Sequence, residues 1–153
     1  MADLTVRREG EVVVGTQSTS HGRMPTVNGP ARRGRLLIID DDRAVAMVIE
    51  RVLGVDHDVT TVYRAQDALE RLAAGEVYDA ILCDLIMPEM TGMDLYEELL
   101  RSAPDLTGRL VFVTGAVSST VERGFLEHVG CPWLEKPFEL SSLRGVVSRL
   151  LAN

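Results

Sequence analysis

Five polar residues lie at the ends of short apolar runs, and their types suit chemistry on a phosphoryl group: Asp40, Asp41, Asp84, Thr114 and Lys136. Carboxylates that share a site raise one another's pKa unless a cation neutralises them. Mg²⁺ does so with oxygen ligands from one or two carboxylates, a backbone carbonyl and water. A lysine and a threonine hydroxyl nearby would neutralise and hydrogen-bond the phosphoryl oxygens. The set therefore indicates a Mg²⁺-dependent phosphoryl site, provided that the fold brings these residues together.

Taken singly, each of these residues has a simpler interpretation. The run Asp40-Asp41-Asp42 is typical of a helix N-terminus, where a side chain caps the helix and the dipole favours acids. Asp84 alone is typical of a turn, Thr114 of a β-strand, and Lys136 of a solvated turn before a proline. Only their occurrence together, at the ends of four predicted strands, favours a shared site.

The elements that must position these residues alternate between strand and helix five times. The predicted strands begin at Leu36, His57, Ile81, Leu110 and Pro132. Apolar residues recur at helical spacing between them; in the fourth helix they are Val117, Val121, Phe125 and Val129. The first, third and fourth strands are apolar throughout, which predicts a parallel sheet covered on both faces. Such a sheet brings the carboxyl ends of its strands to one edge, where sites are built.

Composition and charge narrow the function further. The chain has 153 residues and 46% apolar content, enough for a core, and no apolar run long enough to cross a membrane. We expect a cytoplasmic protein, because a signal-peptide pattern is absent and the two cysteines lack metal-type spacing. Residues 35–153 carry a net charge of −9 (11 basic, 20 acidic), which argues against direct nucleic-acid binding.

The first 34 residues differ from the rest of the chain. Residues 4–14 hold two β-rich runs around Glu9-Gly10, which predicts a small hairpin, frayed or docked on a partner. Residues 15–34 are rich in Gly, Pro, Ser and Thr, which is typical of a flexible linker. We therefore expect a hairpin-like segment and linker over residues 1–34 and one folded domain over residues 35–153.

Four stretches resemble the motif set of response regulator receiver domains, of the chemotaxis-regulator type: Leu36 to Asp42, Cys83 to Gly92, Val111 to Ala116, and Leu134 to Phe138. The resemblance covers about residues 35–152. It implies an α/β fold, a flavodoxin-like doubly wound (βα)5 sandwich whose five parallel strands have the order 2-1-3-4-5. The strand order comes from the resemblance and not from the spacing.

The resemblance also implies roles for individual residues. Asp84 is the expected phospho-acceptor and one of the Mg²⁺ ligands. Asp41 is expected to bind Mg²⁺ directly, Asp40 to act largely through water, and the backbone carbonyl of Ile86 to supply a further ligand. These four residues form the predicted metal site.

Three further residues complete the implied switch. Thr114 is expected to hydrogen-bond the phosphoryl group and move inward, and Lys136 to pair with a phosphoryl oxygen; both count as catalytic. Trp133 stands at the switch-aromatic position, where Tyr or Phe is usual. Ile86 and Ala116 are expected to flank the approach of hydrolytic water, and neither can orient it, which predicts slow self-dephosphorylation.

The implied function is that of a phospho-acceptor module in a two-component phosphorelay. A histidine kinase or phosphotransfer protein would donate the phosphoryl group, with Mg²⁺ as cofactor. An output protein would read the face made of helix four, strand five and helix five. The chain would not be an enzyme beyond self-phosphorylation and self-dephosphorylation, would contact neither nucleic acid nor membrane, and would be a monomer or weak dimer.

Alternatives remain open from the sequence. A haloacid-dehalogenase-like Mg²⁺-dependent phosphatase also needs Asp-x-Asp after the first strand, and Asp40-x-Asp42 supplies it, but Ala44 stands where Thr or Val is expected. A flavodoxin-like nucleotide binder is disfavoured because the first turn lacks a glycine-rich loop. The chain is either a stand-alone receiver or the C-terminal receiver of a hybrid histidine kinase, whose ATPase-domain tail the segment 4–14 resembles.

Overall fold

The computed structural model describes residues 5–7, 11–13, 32–115, 117 and 119–153. Near the N-terminus, strand β1 (Thr5–Arg7) pairs antiparallel with β2 (Glu11–Val13), and Val6 lies opposite Val12. The two strands lie within the β-rich runs of residues 4–14. The predicted turn at Glu9-Gly10, and the predicted linker as far as residue 31, lie outside the described residues.

Five parallel strands form the main sheet, as predicted. They are β3 (Arg35–Ile39), β4 (Asp58–Val62), β5 (Ala80–Cys83), β6 (Leu110–Thr114) and β7 (Trp133–Glu135). Their order is β4-β3-β5-β6-β7, all pairs parallel, which is the order 2-1-3-4-5 within the sheet. The flavodoxin-like α/β architecture is therefore confirmed.

The described residues form five α-helices, of which four connect successive strands and the last follows β7. They are α1 (Arg43–Leu53), α2 (Ala65–Ala73), α3 (Gly92–Ser102), α4 (Thr120–Val129) and α5 (Leu140–Ala152), with a 3₁₀-helix at Pro104–Arg109 that the sequence pattern did not predict. Side chains fix three of the starts, and at α4 the hydroxyl of Ser119 accepts a hydrogen bond from the amide of Glu122. Asp42 accepts hydrogen bonds from the amides of Ala44 and Val45, and Thr91 and Asp94 form a capping box at α3.

The two faces of the sheet carry separate apolar cores because side chains alternate along a strand. Leu37 and Ile39 of β3 pack with residues of α2, α3 and α4, whereas Leu36 and Ile38 pack with α1 and α5. All four are essentially buried, and each such side chain contributes about 1.5 to 3 kcal/mol by leaving water. Because it is packed on both faces, the sheet holds the carboxyl ends of its strands in fixed positions.

Some details of the sequence prediction were wrong. Val121 does not join the core: the fourth helix begins only at Thr120, its buried residue is Leu126, and Val121 is 70% exposed. The short last strand runs from Trp133 to Glu135 and does not begin at Pro132. Among the described residues, no helix combines the length and the apolar character needed to cross a membrane.

Candidate functional site

Two strand ends in the middle of the sheet bring three carboxylates together. Asp40 directly follows β3 and Asp84 directly follows β5, and both are buried, with exposed fractions of 1% and 8%. The ladder continues one residue past β5, because the amide of Asp84 donates to the carbonyl of Ile39 at 2.8 Å. Asp41 is exposed, and one carboxylate oxygen from each of the three residues lies within 4.8 Å of the others.

The three consecutive acids after β3, Asp40 to Asp42, have different roles. Asp42 is the N-cap of α1, so the simpler interpretation of a helix cap holds for this residue alone. Its amide also donates to Oδ1 of Asp40 at 2.9 Å, which helps to fix that carboxylate. Asp40 and Asp41 are left for the site.

Lys136 reaches this cluster from the end of β7, the outermost strand of the sheet. It follows β7, and its amide donates to the carbonyl of Thr114 at 2.6 Å, so the end of β6 holds its backbone. Its Nζ donates to Oδ2 of Asp40 at 2.8 Å and to Oδ2 of Asp84 at 3.3 Å. The peptide bond between Lys136 and Pro137 is cis.

Burial and the charges of two neighbouring residues determine the pKa of Asp84, the acceptor candidate. Burial raises the pKa of Asp84 most, Lys136 lowers it, Asp40 raises it again, and the net value is about 6. Burial by itself lowers the pKa of Lys136, but the hydrogen bond from its ammonium group to Asp40 and the charges of both carboxylates outweigh this and raise it. At neutral pH the site therefore holds an ionised Asp84 beside a charged lysine.

The donor set fits a hard divalent cation. It consists of carboxylate oxygens, two of them on buried residues, and one ammonium group does not balance three negative charges. Mg²⁺ prefers such oxygen ligands and keeps several waters. Asp40, Asp41 and Asp84 would hold the ion.

Three further residues that the sequence analysis singled out lie on β6, after β5 and on β7. Thr114, the last residue of β6, is buried. The amide of Ile86 donates to Oδ1 of Asp84 at 3.3 Å, and its side chain is 48% exposed. Trp133, the first residue of β7, is half-buried and packs against the core beneath α2, α3 and α4. Ala116 lies outside the described residues.

Gly92 is a site residue that the sequence reasoning missed. It is the first residue of α3, and its amide donates to the carbonyl of Leu85 at 2.8 Å. A Cβ atom there would lie 2.4 Å from the carbonyl oxygen of Asp84 and 2.9 Å from Cα of Leu85. Only glycine allows α3 to begin so close to the backbone of Asp84. The available signal was a glycine at a predicted helix start.

The two cysteines have no part in this site's side-chain chemistry. Cys83 and Cys131 are free and buried. Burial is the main cause that raises the pKa of each thiol, to about 11 for Cys131. Protonated buried thiols are poor nucleophiles and poor metal ligands.

Known proteins resemble this chain over its folded part. The model of the response regulator receiver domain family matches residues 36–148. The DNA-binding transcriptional regulator NtrC of Azospirillum brasilense is 33% identical over 76% of this chain and 24% of its own length. The sensor kinase CckA of Brucella abortus is 32% identical over 76% of this chain and 12% of its own length. The chain thus spans about a quarter or less of these curated relatives.

Solved structures agree with this match. A CheY-like response regulator receiver domain protein from Methanospirillum hungatei superposes with a TM-score of 0.69, at 25% identity, over 79% of this chain and 95% of its own. A receiver domain from Francisella, 24% identical, shares the fold with a TM-score of 0.69 over 78% of this chain and 98% of its own. With the family match over residues 36–148, the conclusion is that this chain belongs to the family of response regulator receiver domains.

Proposed function

We propose that the chain is a phospho-acceptor of a two-component phosphorelay and that Asp84 takes the phosphoryl group. One observation carries the proposal. The buried carboxylate of Asp84 lies at the carboxyl edge of the sheet, 3.3 Å from the ammonium of Lys136 and within 4.8 Å of carboxylate oxygens of Asp40 and Asp41. The haloacid-dehalogenase-like alternative is not proposed, because the family match is to receiver domains.

The chemistry follows from the charges of the site. An ionised oxygen of Asp84 attacks phosphorus while the bond from phosphorus to the donor nitrogen of a phosphohistidine, or to the oxygen of a small acyl phosphate, breaks. The product is an acyl phosphate on Asp84, and the donor leaves with the bonding electrons. Lys136 neutralises a phosphoryl oxygen throughout. Bound Mg²⁺ would supply charge neutralisation of the phosphoryl oxygens and of the carboxylates.

The output of this step is a change on the face formed by α4, β7 and α5. Thr114 is the last residue of β6, which pairs with β7. Its hydroxyl would move inward to hydrogen-bond the new phosphoryl oxygens. Trp133 at the start of β7 would change its packing with it. The geometry that supports this coupling is the backbone hydrogen bond from Lys136 to Thr114, which ties β7 to the end of β6.

A histidine kinase or phosphotransfer protein is the proposed donor, and an output protein the proposed reader. Helix α1 starts beside the site at Arg43 and exposes the apolar side chains of Met47 and Val48. This gives a donor protein an apolar contact next to the acceptor. The acidic charge of the folded part favours protein partners over nucleic acid, and we place the chain in the cytoplasm, as a monomer or weak dimer.

Intact mass after treatment with acetyl phosphate and Mg²⁺ tests the proposal. The expected result is one added phosphoryl group that is lost in Asp84→Asn and kept in the control Asp105→Asn, an exposed acid in the 3₁₀-helix. A phosphoryl adduct on Asp84→Asn at the rate of the unmodified protein would exclude Asp84 as acceptor. Steady turnover of a generic phosphatase substrate would instead favour an enzyme.

A further inference from the structure

Hydrogen bonds and ion pairs hold residues 32–35 at the amino ends of the strands, whereas the candidate site lies at the carboxyl ends. Arg33 donates from Nε and Nη2 to Oδ1 of Asp58, at 3.0 and 2.8 Å. The guanidinium of Arg32 donates to Oδ1 of Asp79 at 2.8 Å, and the amide of Arg35 donates to Oδ2 of the same carboxylate at 2.8 Å. Residues 32–35 are thus held by the amino ends of β4 and β5.

His57 is the buried part of this attachment. Its side chain is 7% exposed, and its Nδ1 accepts a hydrogen bond from the amide of Gly34 at 3.2 Å. The carbonyl of Gly34 accepts from the amide of Asp58 at 2.9 Å, so both backbone groups of Gly34 are paired. An imidazole nitrogen accepts a hydrogen bond only when it carries no proton, so this contact requires neutral His57 with its hydrogen on Nε2.

Charged groups from three parts of the chain lie near the imidazole. Asp56 and Asp58 flank it in the chain, Arg33 approaches from the segment before the sheet, and Glu50 and Arg51 of α1 line the same cleft. Burial is the main cause that lowers the pKa of His57 below its ordinary value; Asp56 and Asp58 raise it and Arg33 lowers it further. Because the charges oppose one another, burial decides the direction.

We propose that His57 is a proton-operated latch that fastens residues 32–34 to the receiver domain and releases them when its Nδ1 is protonated. Protonation places a hydrogen on Nδ1 that faces the amide hydrogen of Gly34, so that two donors meet and neither is satisfied. The ion pairs of Arg32 and Arg33 involve mostly exposed groups, and such pairs contribute little alone. They do not hold the segment once the buried hydrogen bond is lost.

The sign of the pH dependence follows from the lowered pKa. The unfolded or released state binds a proton at the ordinary histidine pKa, whereas the latched state resists it to lower pH. The latch is therefore fully closed above about pH 6.5 and is lost as the pH falls through the lower pKa of the latched state.

The latch also touches the last helix. A Cβ atom on Gly34 would lie 2.7 Å from Cδ2 of Leu151, near the end of α5. Helix α5 belongs to the proposed output face. The position of Gly34 and the packing of the last turn of α5 are thus linked by the same contact.

Nuclear magnetic resonance of the full chain tests the latch directly. Long-range nitrogen–proton spectra report the tautomer of His57, and hydrogen exchange reports the protection of the Gly34 amide. As the pH is lowered from about 7.5 through the pKa of His57, we expect a change from the Nε2–H tautomer to the doubly protonated ring and a roughly tenfold loss of Gly34 protection. The variant His57→Asn keeps an acceptor oxygen that does not titrate, so its Gly34 protection should not depend on pH.

The matched control is His128→Asn, since His128 is exposed at the end of α4. It should retain the pH response of the unmodified protein. An Nδ1–H tautomer of His57 at pH 7.5, or Gly34 protection in the unmodified protein that does not change with pH, would overturn the proposal. Both of these readouts come from the unmodified protein, so they decide the question even if His57→Asn fails to fold.

Discussion

The carbonyl oxygen of Asp84 lies 2.4 Å from the position that a Cβ atom on Gly92 would occupy. Helix α3 therefore begins directly against the backbone of the acceptor candidate, and the amide of Gly92 donates to the neighbouring carbonyl of Leu85. Any side chain at this position must displace the backbone that carries the Asp84 carboxylate. The distances from that carboxylate to Lys136 and to the other acids depend on this close approach.

Gly92→Ala should lower stability and also slow phosphorylation. Overpacking of this kind costs about 1 to 3 kcal/mol of unfolding free energy, and the displaced carboxylate meets its donor in a poorer position. Urea unfolding and the rate of phosphorylation by acetyl phosphate, corrected for the folded fraction, are the measurements. Unchanged values of both would show that the helix start can move without Asp84.

A second glycine provides the control. Gly124 lies inside α4, and a Cβ atom there would meet nothing within 4 Å. Gly124→Ala should therefore raise the unfolding free energy by about 0.5 to 1 kcal/mol through helix propensity and leave phosphorylation unchanged.

Asp84→Asn should be more stable than the unmodified protein at neutral pH without Mg²⁺. The pKa of Asp84 is raised to about 6, so the folded state holds its proton longer than the unfolded chain, and stability falls as the pH rises from about 4 to about 6. Above that window the ionised carboxylate costs about 2 to 3 kcal/mol, which neutral Asn avoids. Urea unfolding with a chelator at about pH 7.5 and about pH 4 should show a difference only at the higher pH. An equal difference at both pH values would contradict the raised pKa.

The edge of the sheet that carries the candidate site was predictable from local pattern. Apolar runs that end at Asp40, Asp84, Thr114 and Lys136 indicate buried parallel strands whose carboxyl ends meet. The ion pair of Lys136 with Asp40 joins residues 96 positions apart, yet the expected fold placed both at this edge. The order of the strands itself came from the family resemblance.

Features that depend on how closely two distant elements approach each other could not be predicted from the local sequence pattern. The sequence pattern placed His57 in the second strand, but β4 begins at Asp58, and His57 instead accepts a hydrogen bond from Gly34, 23 residues earlier. Val121 fits a helical apolar spacing, yet it is exposed because the position of α4 on the sheet is set by Leu126. Gly92 acts through the backbone of Asp84. Each of these depends on how close two elements approach, which no periodicity encodes.

Asp41→Ala should weaken Mg²⁺ binding and raise stability in the absence of metal. Asp41 supplies one of the three carboxylates, and its removal takes away a ligand and one of the like charges. We expect the Kd for Mg²⁺ to rise roughly tenfold or more, about 1.4 kcal/mol. Titration by calorimetry, or by the fluorescence of Trp133, the only tryptophan, measures it. Asp105→Ala is the control, and equal affinities of the Asp41 and Asp105 variants would remove Asp41 from the ligand set.

The side chain of Ile86 should determine how long Asp84 stays phosphorylated. Its amide donates to Oδ1 of Asp84, and its side chain is 48% exposed beside the acceptor. Hydrolysis of an acyl phosphate needs a water in line with phosphorus, opposite the Asp84 oxygen, and an isoleucine can exclude a water but cannot hydrogen-bond one. Positioning of the nucleophile contributes several kcal/mol to such a step.

Ile86→Asn should therefore accelerate loss of the phosphoryl group by roughly tenfold, about 1.4 kcal/mol of activation free energy. The asparagine amide can hold the water that isoleucine excludes. Val77 is another exposed apolar residue, but it precedes β5 whereas Asp84 follows it, so Val77→Asn supplies no such group beside Asp84 and should decay at the unmodified rate. Decay of radiolabelled protein at fixed Mg²⁺ concentration measures all three rates. Because the prediction concerns only the rate of loss, the rate of phosphorylation is measured separately for each variant. If Ile86→Asn and Val77→Asn decay alike, Ile86 does no more than pack beside the acceptor.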